Sequence, residues 1–232
     1  TSITITEPPP LTVTPSATPI LCYGGTSTVT LTPGGGTSPY SGTGPFTVTA
    51  GQYTYTITDA NQCTATTVIS VTEPSRLIAT AAAPSILCNG GSTTVTVSAS
   101  CGTTPYTGTG TFTVTAGTYS YTVTDVNQCT ATASISIGQP PPLTVSASAT
   151  PIPCNGGSST VTLTPSGGTG SYSGTGPFTV AAGTHSYTIT DANQCTASTL
   201  ITITEPTPIT VTATAQPILC NGGSTTVTVS AS

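Results

Sequence analysis

The chain has 232 residues, only 3% of them charged, and a formal net charge of −5 at pH 7. A typical soluble domain carries about 25% charged residues, so uncharged polar groups, chiefly Thr and Ser, have to provide most of the hydrophilic surface. Arg76 is the only Lys or Arg, which excludes the basic patch of a nucleic-acid-binding protein. No apolar run approaches the roughly 18 residues of a membrane-spanning helix, so we predict no membrane span in this segment.

A 66-residue internal repeat organises the whole chain. Cys-(Tyr/Asn)-Gly-Gly begins at Cys22, Cys88, Cys154 and Cys220, and Asn-Gln-Cys ends at Cys63, Cys129 and Cys195. Each step is 66 (88 − 22), without a gap. The predicted divisions are 1–8, the last strand of a preceding repeat; 9–74, 75–140 and 141–206, three full repeats; and 207–232, the first strands of a further repeat. Such a segment is either a window on a longer array or a chain whose residues 1–8 complete a neighbouring molecule by donor-strand addition.

The first half of each repeat predicts two strands around a loop, as the second repeat illustrates. Residues 77–83 predict a weak first strand, and residues 84–92 a loop that carries Cys88 and a Gly-Gly pair. Residues 93–100 predict the second strand, in which Thr or Ser alternates strictly with Val or Ala from Thr94 onward. That period of two is typical of a half-buried strand, and it places Val95 and Val97 on the inner face.

The second half predicts a further strand and a hairpin. Residues 101–110 form a Gly, Thr and Pro loop with room for one short strand, and residues 111–116 alternate again, with Phe112 and Val114 facing inward. Residues 119–125 and 129–137 predict a hairpin through a tight turn at 126–128. No segment has a 3.6-residue period, so almost no helix is expected. Five or six short strands in each 66-residue repeat favour a small β-sandwich.

The eight cysteines predict disulfides and an oxidising, extracellular compartment, because the chain has one His and no Cys-x-x-Cys motif. A 66-residue sandwich is marginal without such bonds. The expected bonds lie within repeats: Cys22–Cys63, Cys88–Cys129 and Cys154–Cys195, with Cys220 bonded to a partner outside the chain. A pairing between neighbours stays open: Cys63–Cys88, Cys129–Cys154 and Cys195–Cys220. Cys101, which stands where the other repeats have Gly35 and Gly167, is predicted to be unpaired, as a free thiol or in an intermolecular bond.

Catalytic and metal-binding patterns are missing, so we expect neither an enzyme nor a cofactor. His185 aligns with Tyr53 and Tyr119, which indicates a strand position that accepts aromatic rings. One Asp recurs before each Asn-Gln-Cys turn, where its side chain is expected to cap the turn. These residues are also the only calcium candidates, but Ca²⁺ takes six to eight oxygen ligands and no metal site is predicted. The three candidates are Asp59, Asp125 and Asp191.

Threonines recur on the outward face of several predicted strands. Three interpretations of these threonines are open. They form a solvated β-surface, they carry O-glycans that would supply the missing solubility, or their regular rows bind ice. The favoured interpretation is covalent O-glycosylation. The candidate acceptors are Thr28, Thr30, Thr94, Thr96, Thr113, Thr115, Thr160 and Thr162. Pro-rich junctions between the repeats predict semi-rigid linkers and hence an extended rod.

The repeat resembles the SprB-type repeat of the surface adhesins of gliding bacteria, and more widely the PKD and immunoglobulin-like modules. The resemblance is carried by CNGG (88–91), GTTPY (102–106), AGTYSYTVTD (116–125) and NQCT (127–130), with their counterparts in the other repeats. Residues 107–112 depart from the family pattern, which has Trp soon after Pro-Tyr. The resemblance implies immunoglobulin-like modules in a cell-surface stalk or filament that serves adhesion or gliding.

Composition, repeats and resemblance together predict a structural subunit of an extracellular, cell-surface fibre. Its expected partners are neighbouring repeats, copies of itself and covalent O-glycans. Neither a nucleic acid nor a cofactor is expected. The alternative is an adhesin whose modules bind carbohydrate or another surface ligand directly. Tyr40, Tyr106 and Tyr172, which recur in one loop, are the candidate contacts for that alternative.

Overall fold

Strands provide all the regular secondary structure of the chain. The structure, a computed structural model, describes every residue from 1 to 232 and contains no helix. It therefore has no helix long and apolar enough to cross a membrane. The all-β class that the period-two patterns predict is confirmed.

The strands follow the 66-residue repeat. The first repeat contains β1 (Thr12–Ala17), β2 (Ser27–Gly34), β3 (Phe46–Val48), β4 (Gly51–Thr58) and β5 (Thr64–Val71). The second contains β6 (Ile78–Ala82), β7 (Thr93–Ser100), β8 (Tyr106–Thr107), β9 (Gly110–Val114), β10 (Gly117–Asp125) and β11 (Thr130–Ile137). The third contains β12 (Thr144–Ala149), β13 (Ser159–Ser166), β14 (Phe178–Val180), β15 (Gly183–Thr190) and β16 (Thr196–Ile203). The last segment contains β17 (Val211–Ala215) and β18 (Val227–Ala231).

Each complete repeat folds into two small antiparallel sheets. In the second repeat these are β6-β7-β9 and β11-β10-β8. The first and third repeats have β1-β2-β3 with β4-β5 and β12-β13-β14 with β15-β16, and single bridges at Ser41–Thr58 and Ser173–Thr190 replace β8. The first and last strands of each repeat lie against each other, so the two sheets face one another.

Alternation buries one row of side chains from each sheet. In the first repeat Val29 and Leu31 of β2 meet Ile57 of β4 and Val71 of β5 in one core cluster, and the third repeat has the equivalent cluster. Burial of such aliphatic side chains stabilises a fold by about 1.5–3 kcal/mol each. The predicted inner face of β7 is confirmed, because Val95 and Val97 are 0% and 2% exposed.

The inward prediction for Phe112 is confirmed in direction. Its ring packs against Tyr121 of the facing sheet, with 4.8 Å between ring centroids. The side chain nevertheless stays 38% exposed, so it lies at the border of the core.

The chain folds into two compact units whose limits differ from those of the repeats. The first contains Thr1–Pro84 and Thr93–Ile137, and the second contains Ser85–Ser92 and Gly138–Ser232. The loop 85–92 of the second repeat therefore belongs to the same unit as the third repeat. The predicted divisions at 74, 140 and 206 follow the sequence period and stay predictions.

The two terminal segments lack partners in the described chain. Residues 1–8 are exposed and pair with no strand, so their role as a last strand stays a prediction. The hairpin of β17 and β18 pairs only with itself, and every side chain on both strands is exposed.

Candidate functional site

Two disulfides join neighbouring repeats, one between the first and second and one between the second and third. Cys22 of the first repeat bonds to Cys129 of the second, with 5.6 Å between their Cα atoms. Cys88 of the second repeat bonds to Cys195 of the third, at 5.7 Å. Both bonds span 107 positions. The predicted bonds Cys22–Cys63, Cys88–Cys129 and Cys154–Cys195 are therefore wrong, and so is the open alternative between neighbouring cysteines.

The repeat period hides this pairing in the sequence. A bond within one repeat spans 41 positions (63 − 22), and the observed bond spans one further period (129 − 63 = 66). Both schemes obey the same 66-residue translation, so spacing does not distinguish them. The choice depends on which turn the cysteine loop contacts, because a disulfide requires Cα atoms within about 4.4–6.8 Å.

We call each disulfide, together with the loop and the turn that carry its two cysteines, a joint. One half of each joint is the loop that carries the first cysteine, Cys22 or Cys88. Its first glycine has a left-handed backbone, with φ of +75° at Gly24 and +76° at Gly90, which glycine adopts at no steric cost. A Cβ on the next residue, Gly25, would lie 2.9 Å from the carbonyl oxygen of Cys22. The Gly-Gly pair therefore permits the tight turn that presents the cysteine.

A carboxylate or amide from the end of the same repeat holds this loop in place. The Gly24 N–H donates to Glu73 at 2.6 Å, and the Gly90 N–H to Gln139 at 2.8 Å. The Gly156 N–H donates to Glu205 at 2.6 Å. We did not single out this role in the sequence, although Glu7, Glu73 and Glu205 recur in steps of 66 or 132, each directly before a proline.

The other half of the joint is the Asp-x-Asn-Gln-Cys turn. Asp125 accepts the Asn127 and Cys129 N–H groups on Oδ1, each at 2.9 Å. Its Oδ2 accepts the Thr103 N–H at 3.0 Å. Gln128 has φ of +68° and closes the turn by donating its N–H to the Asp125 carbonyl at 3.1 Å. Asp59 and Asp191 make the same contacts.

These contacts give the aspartates a structural role. Each carboxylate is 3% exposed and both of its oxygens face N–H donors. The positive ends of these N–H dipoles would oppose a cation, so none of the three calcium candidates has an arrangement suited to Ca²⁺, whose sites are built from several oxygen ligands.

Backbone donors also lower the pKa of two of these carboxyls. The N–H of Thr37, and less strongly those of Cys63 and Asn61, hold the pKa of Asp59 below its usual value against the effect of burial. For Asp191 burial is the largest single influence and raises the pKa. The N–H groups of Cys195, Thr169 and Asn193 together outweigh it, so the net direction is downward. Hydrogen bonds to the ionised form have this effect generally.

A side-chain hydrogen bond accompanies each disulfide. Asn127 of the turn donates from Nδ2 to the Leu21 carbonyl at 3.3 Å, directly before Cys22. Asn193 donates to the Leu87 carbonyl at 3.1 Å, directly before Cys88. Loop and turn therefore recognise each other through a polar contact that recurs at both joints, besides the covalent bond.

Four cysteines stay free and exposed: Cys63, Cys101, Cys154 and Cys220. Cys63 lies in a turn of the joint type, and Cys154 and Cys220 lie in loops of the joint type, so these three carry unused halves of joints. Cys101 belongs to neither half. It has φ of +60° at a position where Gly35 and Gly167 have similar left-handed values.

The joint between the first and second repeats also borders an open groove. The groove has a volume of about 750 Å³, and its lining includes Cys22, Tyr23, Arg76 and Leu77. Tyr23 stands where the other repeats have Asn, and Arg76, the only basic Lys or Arg of the chain, stands where they have Pro. This groove therefore combines two residues that the other repeats lack.

The remaining candidate residues have local structural contacts. His185 Nε2 lies 3.0 Å from the Ala181 carbonyl. The hydroxyl of Tyr119, its counterpart, donates to the Thr115 carbonyl at 3.0 Å. A ring nitrogen of His185 thus takes the place of a tyrosine hydroxyl. Asp191 accepts hydrogen bonds from the backbone of its own turn.

The recurring loop tyrosines brace their own loops. Tyr40 donates to the Gly35 carbonyl at 2.7 Å. Tyr106 and Tyr172 make the same contact with the Cys101 and Gly167 carbonyls, at 2.5 and 2.6 Å. Their hydroxyls are therefore engaged within the module.

The threonines that were predicted to face outward do so. All eight candidate glycosylation threonines are exposed. Across β7 and β9, Thr94 stands opposite Thr113 and Thr96 opposite Thr111, so hydroxyls form rows across neighbouring strands.

No model of a known protein family matches the chain, and no curated protein matches it. The resemblance to SprB-type repeats therefore depends on the motifs quoted above.

Proposed function

We propose that this chain is a structural segment of an extracellular surface fibre in which each repeat is covalently locked to the next. The observation that supports this proposal is the pair of disulfides Cys22–Cys129 and Cys88–Cys195. A bond within a repeat would stabilise that repeat alone, whereas these bonds carry tension from one repeat to the next. No enzymatic activity is proposed.

The two disulfides interleave, and this limits how far the chain can extend. The shortest covalent path from Cys22 to Cys195 crosses both bonds and only the backbone between Cys88 and Cys129, a separation of 41 (129 − 88). The path along the backbone alone has a separation of 173 (195 − 22). At roughly 3.5 Å per extended residue these paths reach about 150 Å and about 600 Å.

Single-molecule stretching between the chain ends tests this role. The oxidised protein should reach full extension about 450 Å earlier than the reduced protein. Cys101→Ser, which removes a thiol outside the joints, should behave like the unmodified protein. Equal extension with and without reductant would contradict the proposal.

An O-glycan coat is part of the proposed fibre. The exposed threonine rows and the low charge support it, because glycans would supply hydration that side-chain charge does not. Adhesion or gliding is the biological role that the repeat resemblance suggests for such a fibre.

Mass spectrometry of peptides from digested native material tests the glycan coat. A heterogeneous excess of mass on peptides that contain Thr94, Thr113 and their counterparts would support the coat. Peptide masses equal to those of the bare sequence would remove it and leave the disulfide-locked fibre unaffected.

A second candidate function is ligand binding in the groove beside Cys22–Cys129. Tyr23 is 58% exposed, and aromatic rings with a nearby guanidinium suit an anionic saccharide, through stacking and paired hydrogen bonds to a carboxylate. Tyr23→Asn with Arg76→Pro would restore the residues of the other repeats. Adhesion to acidic polysaccharide that survives this double substitution would exclude the groove.

A further inference from the structure

We infer that the groove beside Cys22–Cys129 is a site at which a small anionic thiol reduces that bond selectively, so that the first joint opens while the second stays closed. The ligand class is a low-molecular-weight thiol that carries a carboxylate, such as glutathione. This inference rests on the proposed disulfide lock and names the reagent that releases one of its two bonds. The guanidinium that would bind a saccharide carboxylate in this groove also attracts such a thiol.

The groove presents the disulfide beside a positive charge. Its walls are Cys22 and Tyr23 of the first repeat's loop, residues 76–79 at the start of the second repeat, and residues 128–132 at its last strand. All of these residues belong to one compact unit. Arg76 is exposed, and both cysteines are half-buried. A small molecule in the groove can therefore reach the bond and the guanidinium together.

The second joint has the same bond without the positive charge. In the joint formed by Cys88–Cys195, Asn89 stands in the place of Tyr23, and Pro142 stands in the place of Arg76. Its two cysteines are also half-buried. One molecule therefore contains both the proposed site and a reference bond in a closely similar setting.

The guanidinium is the charge that an anion in the groove meets. Arg76 is the only Lys or Arg in a chain of net charge −5. The Glu73 carboxylate of the same joint accepts the Gly24 N–H at 2.6 Å and is not a wall of the groove. Opposite unit charges about 7 Å apart in water attract strongly enough to raise a rate about threefold. The second joint has Gln139 in the place of Glu73, so the decisive comparison is between variants of one joint.

Reduction takes two steps of thiol–disulfide exchange. The thiolate of one reagent molecule attacks one sulfur of Cys22–Cys129, forms a mixed disulfide with that cysteine and releases the other cysteine as a thiolate. The thiolate of a second reagent molecule then attacks the reagent sulfur of the mixed disulfide and releases the remaining cysteine. Two electrons pass to the cysteines, which take up two protons, and the reagent leaves as its own disulfide.

Selective reduction lengthens the chain by a defined step. With both bonds closed, the shortest path from Cys22 to Cys195 has a backbone separation of 41 (129 − 88). With only Cys88–Cys195 closed, the separation is 66 (88 − 22). The difference of 25 (66 − 41) corresponds to about 90 Å at roughly 3.5 Å per extended residue. The first joint therefore acts as a chemical release that adds length while the second still carries tension.

The test measures the reduction of both bonds in the folded 232-residue protein. Its free thiols are first blocked with iodoacetamide. Three thiols of different charge are then applied separately at low ionic strength: mercaptopropionate, which is negative, mercaptoethanol, which is neutral, and cysteamine, which is positive. New thiols are trapped with N-ethylmaleimide, and peptide mapping gives the rate at Cys22–Cys129 and at Cys88–Cys195. The ratio of the two rates cancels the intrinsic reactivity of each reagent.

The rate ratio should follow the charge of the reagent. In the unmodified protein it should be highest with mercaptopropionate and lowest with cysteamine. Arg76→Pro restores the residue of the other repeats and should lower the ratio for mercaptopropionate about threefold. The same variant should raise the ratio for cysteamine and leave it unchanged for mercaptoethanol. Salt at about 0.5 M should act like the substitution, because it screens exposed charges.

Three further variants separate charge from the shape of the groove. Arg76→Lys keeps the charge and should keep the preference for mercaptopropionate. Tyr23→Asn changes a wall of the groove without changing its charge and should also keep the preference. Pro142→Arg, at the equivalent exposed position of the second joint, should raise the rate at Cys88–Cys195 with mercaptopropionate about threefold.

Three results would overturn the inference. They are a preference for mercaptopropionate that survives Arg76→Pro or added salt, a Cys22–Cys129 bond that resists all three thiols in the folded protein, and a Pro142→Arg variant without a gain in rate. The rates are read from peptides and the extension from stretching, so the two proposals can fail separately. Equal extension with and without reductant would refute the locking. Extension as proposed, with reduction that does not depend on Arg76, would refute only the selective release.

Discussion

Two stretches of this chain have the same 15-residue sequence and different structures. Residues 86–100 and 218–232 both read ILCNGGSTTVTVSAS. In the first stretch Ile86 is 5% exposed and Cys88 is bonded to Cys195. In the second Ile218 is 55% exposed and Cys220 is free.

The difference lies in what covers each stretch. The first is followed by residues that form a second sheet. The second has only the strand β17 beside it. The strand is also shorter there, Val227–Ala231 against Thr93–Ser100. Strand propensity and the loop motif are therefore local properties, whereas burial and disulfide formation require a neighbouring sheet and turn.

The largest effect on the free energy of unfolding should come from the cysteines of these two stretches, Cys88 and Cys220. Cys88→Ser should lower the free energy of unfolding by about 2–5 kcal/mol, because the lost disulfide closes a long loop. Cys220→Ser should change it by less than about 0.5 kcal/mol, because its thiol is free. Urea unfolding of the monomeric protein measures both. Equal losses would mean that Cys220 is bonded in solution.

The buried valines should give the next effect. Val95→Ala should cost about 2 kcal/mol, since two methyl groups leave a filled core. Val227→Ala, in the same sequence context, should cost less than about 0.5 kcal/mol. The same unfolding measurement applies, and a comparable loss at Val227 would indicate that the hairpin face is covered in the monomer.

Acid should weaken the complete repeats and leave the last hairpin unaffected, because only the complete repeats contain the Asp turn. The pKa values of Asp59 and Asp191 are lowered in the folded state. Their contribution is thus fully present above the unfolded pKa of about 3.9 and is lost as pH falls through the lower folded values. Stability should be level from pH 7 to about 5 and should fall below about pH 4.

Substitution of these carboxyls should remove much of that acid dependence. In Asp59→Asn with Asp191→Asn, the unfolding midpoint should be lower at pH 7 and should change less below pH 4. Glu7→Gln, at an exposed carboxyl with no hydrogen bond in the described chain, is the control. An acid profile of the double variant parallel to that of the unmodified protein would contradict the role of the turn.

The smallest effects on the free energy of unfolding are expected in the second sheet of a complete repeat, β4-β5 in the first repeat, which has no equivalent over the last hairpin. The hydroxyl of Tyr55 on β4 is buried without a hydrogen-bond partner. Tyr55→Phe should therefore raise the free energy of unfolding by about 1 kcal/mol. Tyr53→Phe, which loses a 3.1 Å bond to the Thr49 carbonyl, should lower it by about 0.5 kcal/mol. Thermal unfolding distinguishes the two signs, and destabilisation by Tyr55→Phe would indicate an unseen partner for its hydroxyl.

Most of the strands could be predicted because their signal is local. The alternation in residues 93–100 gives β7 with its observed bounds, and residues 126–128 form the turn between β10 and β11. Alternation gives the inward direction of Phe112, but it does not reveal how much of the ring the facing sheet leaves exposed. The brace from Glu73 to Gly24 went unrecognised because it links residues 49 positions apart.

The sequence by itself determined the all-β class, the 66-residue period, the alternating faces and the positions of both cysteine motifs. These follow from side-chain chemistry and chain stereochemistry over a few residues. Only the tertiary structure decided that Cys22 bonds to Cys129 and not to Cys63, and that identical valines are buried at 95 and exposed at 227. In a uniform repeat every pairing within one copy has an equally periodic alternative one copy further on, so only contacts in space distinguish them.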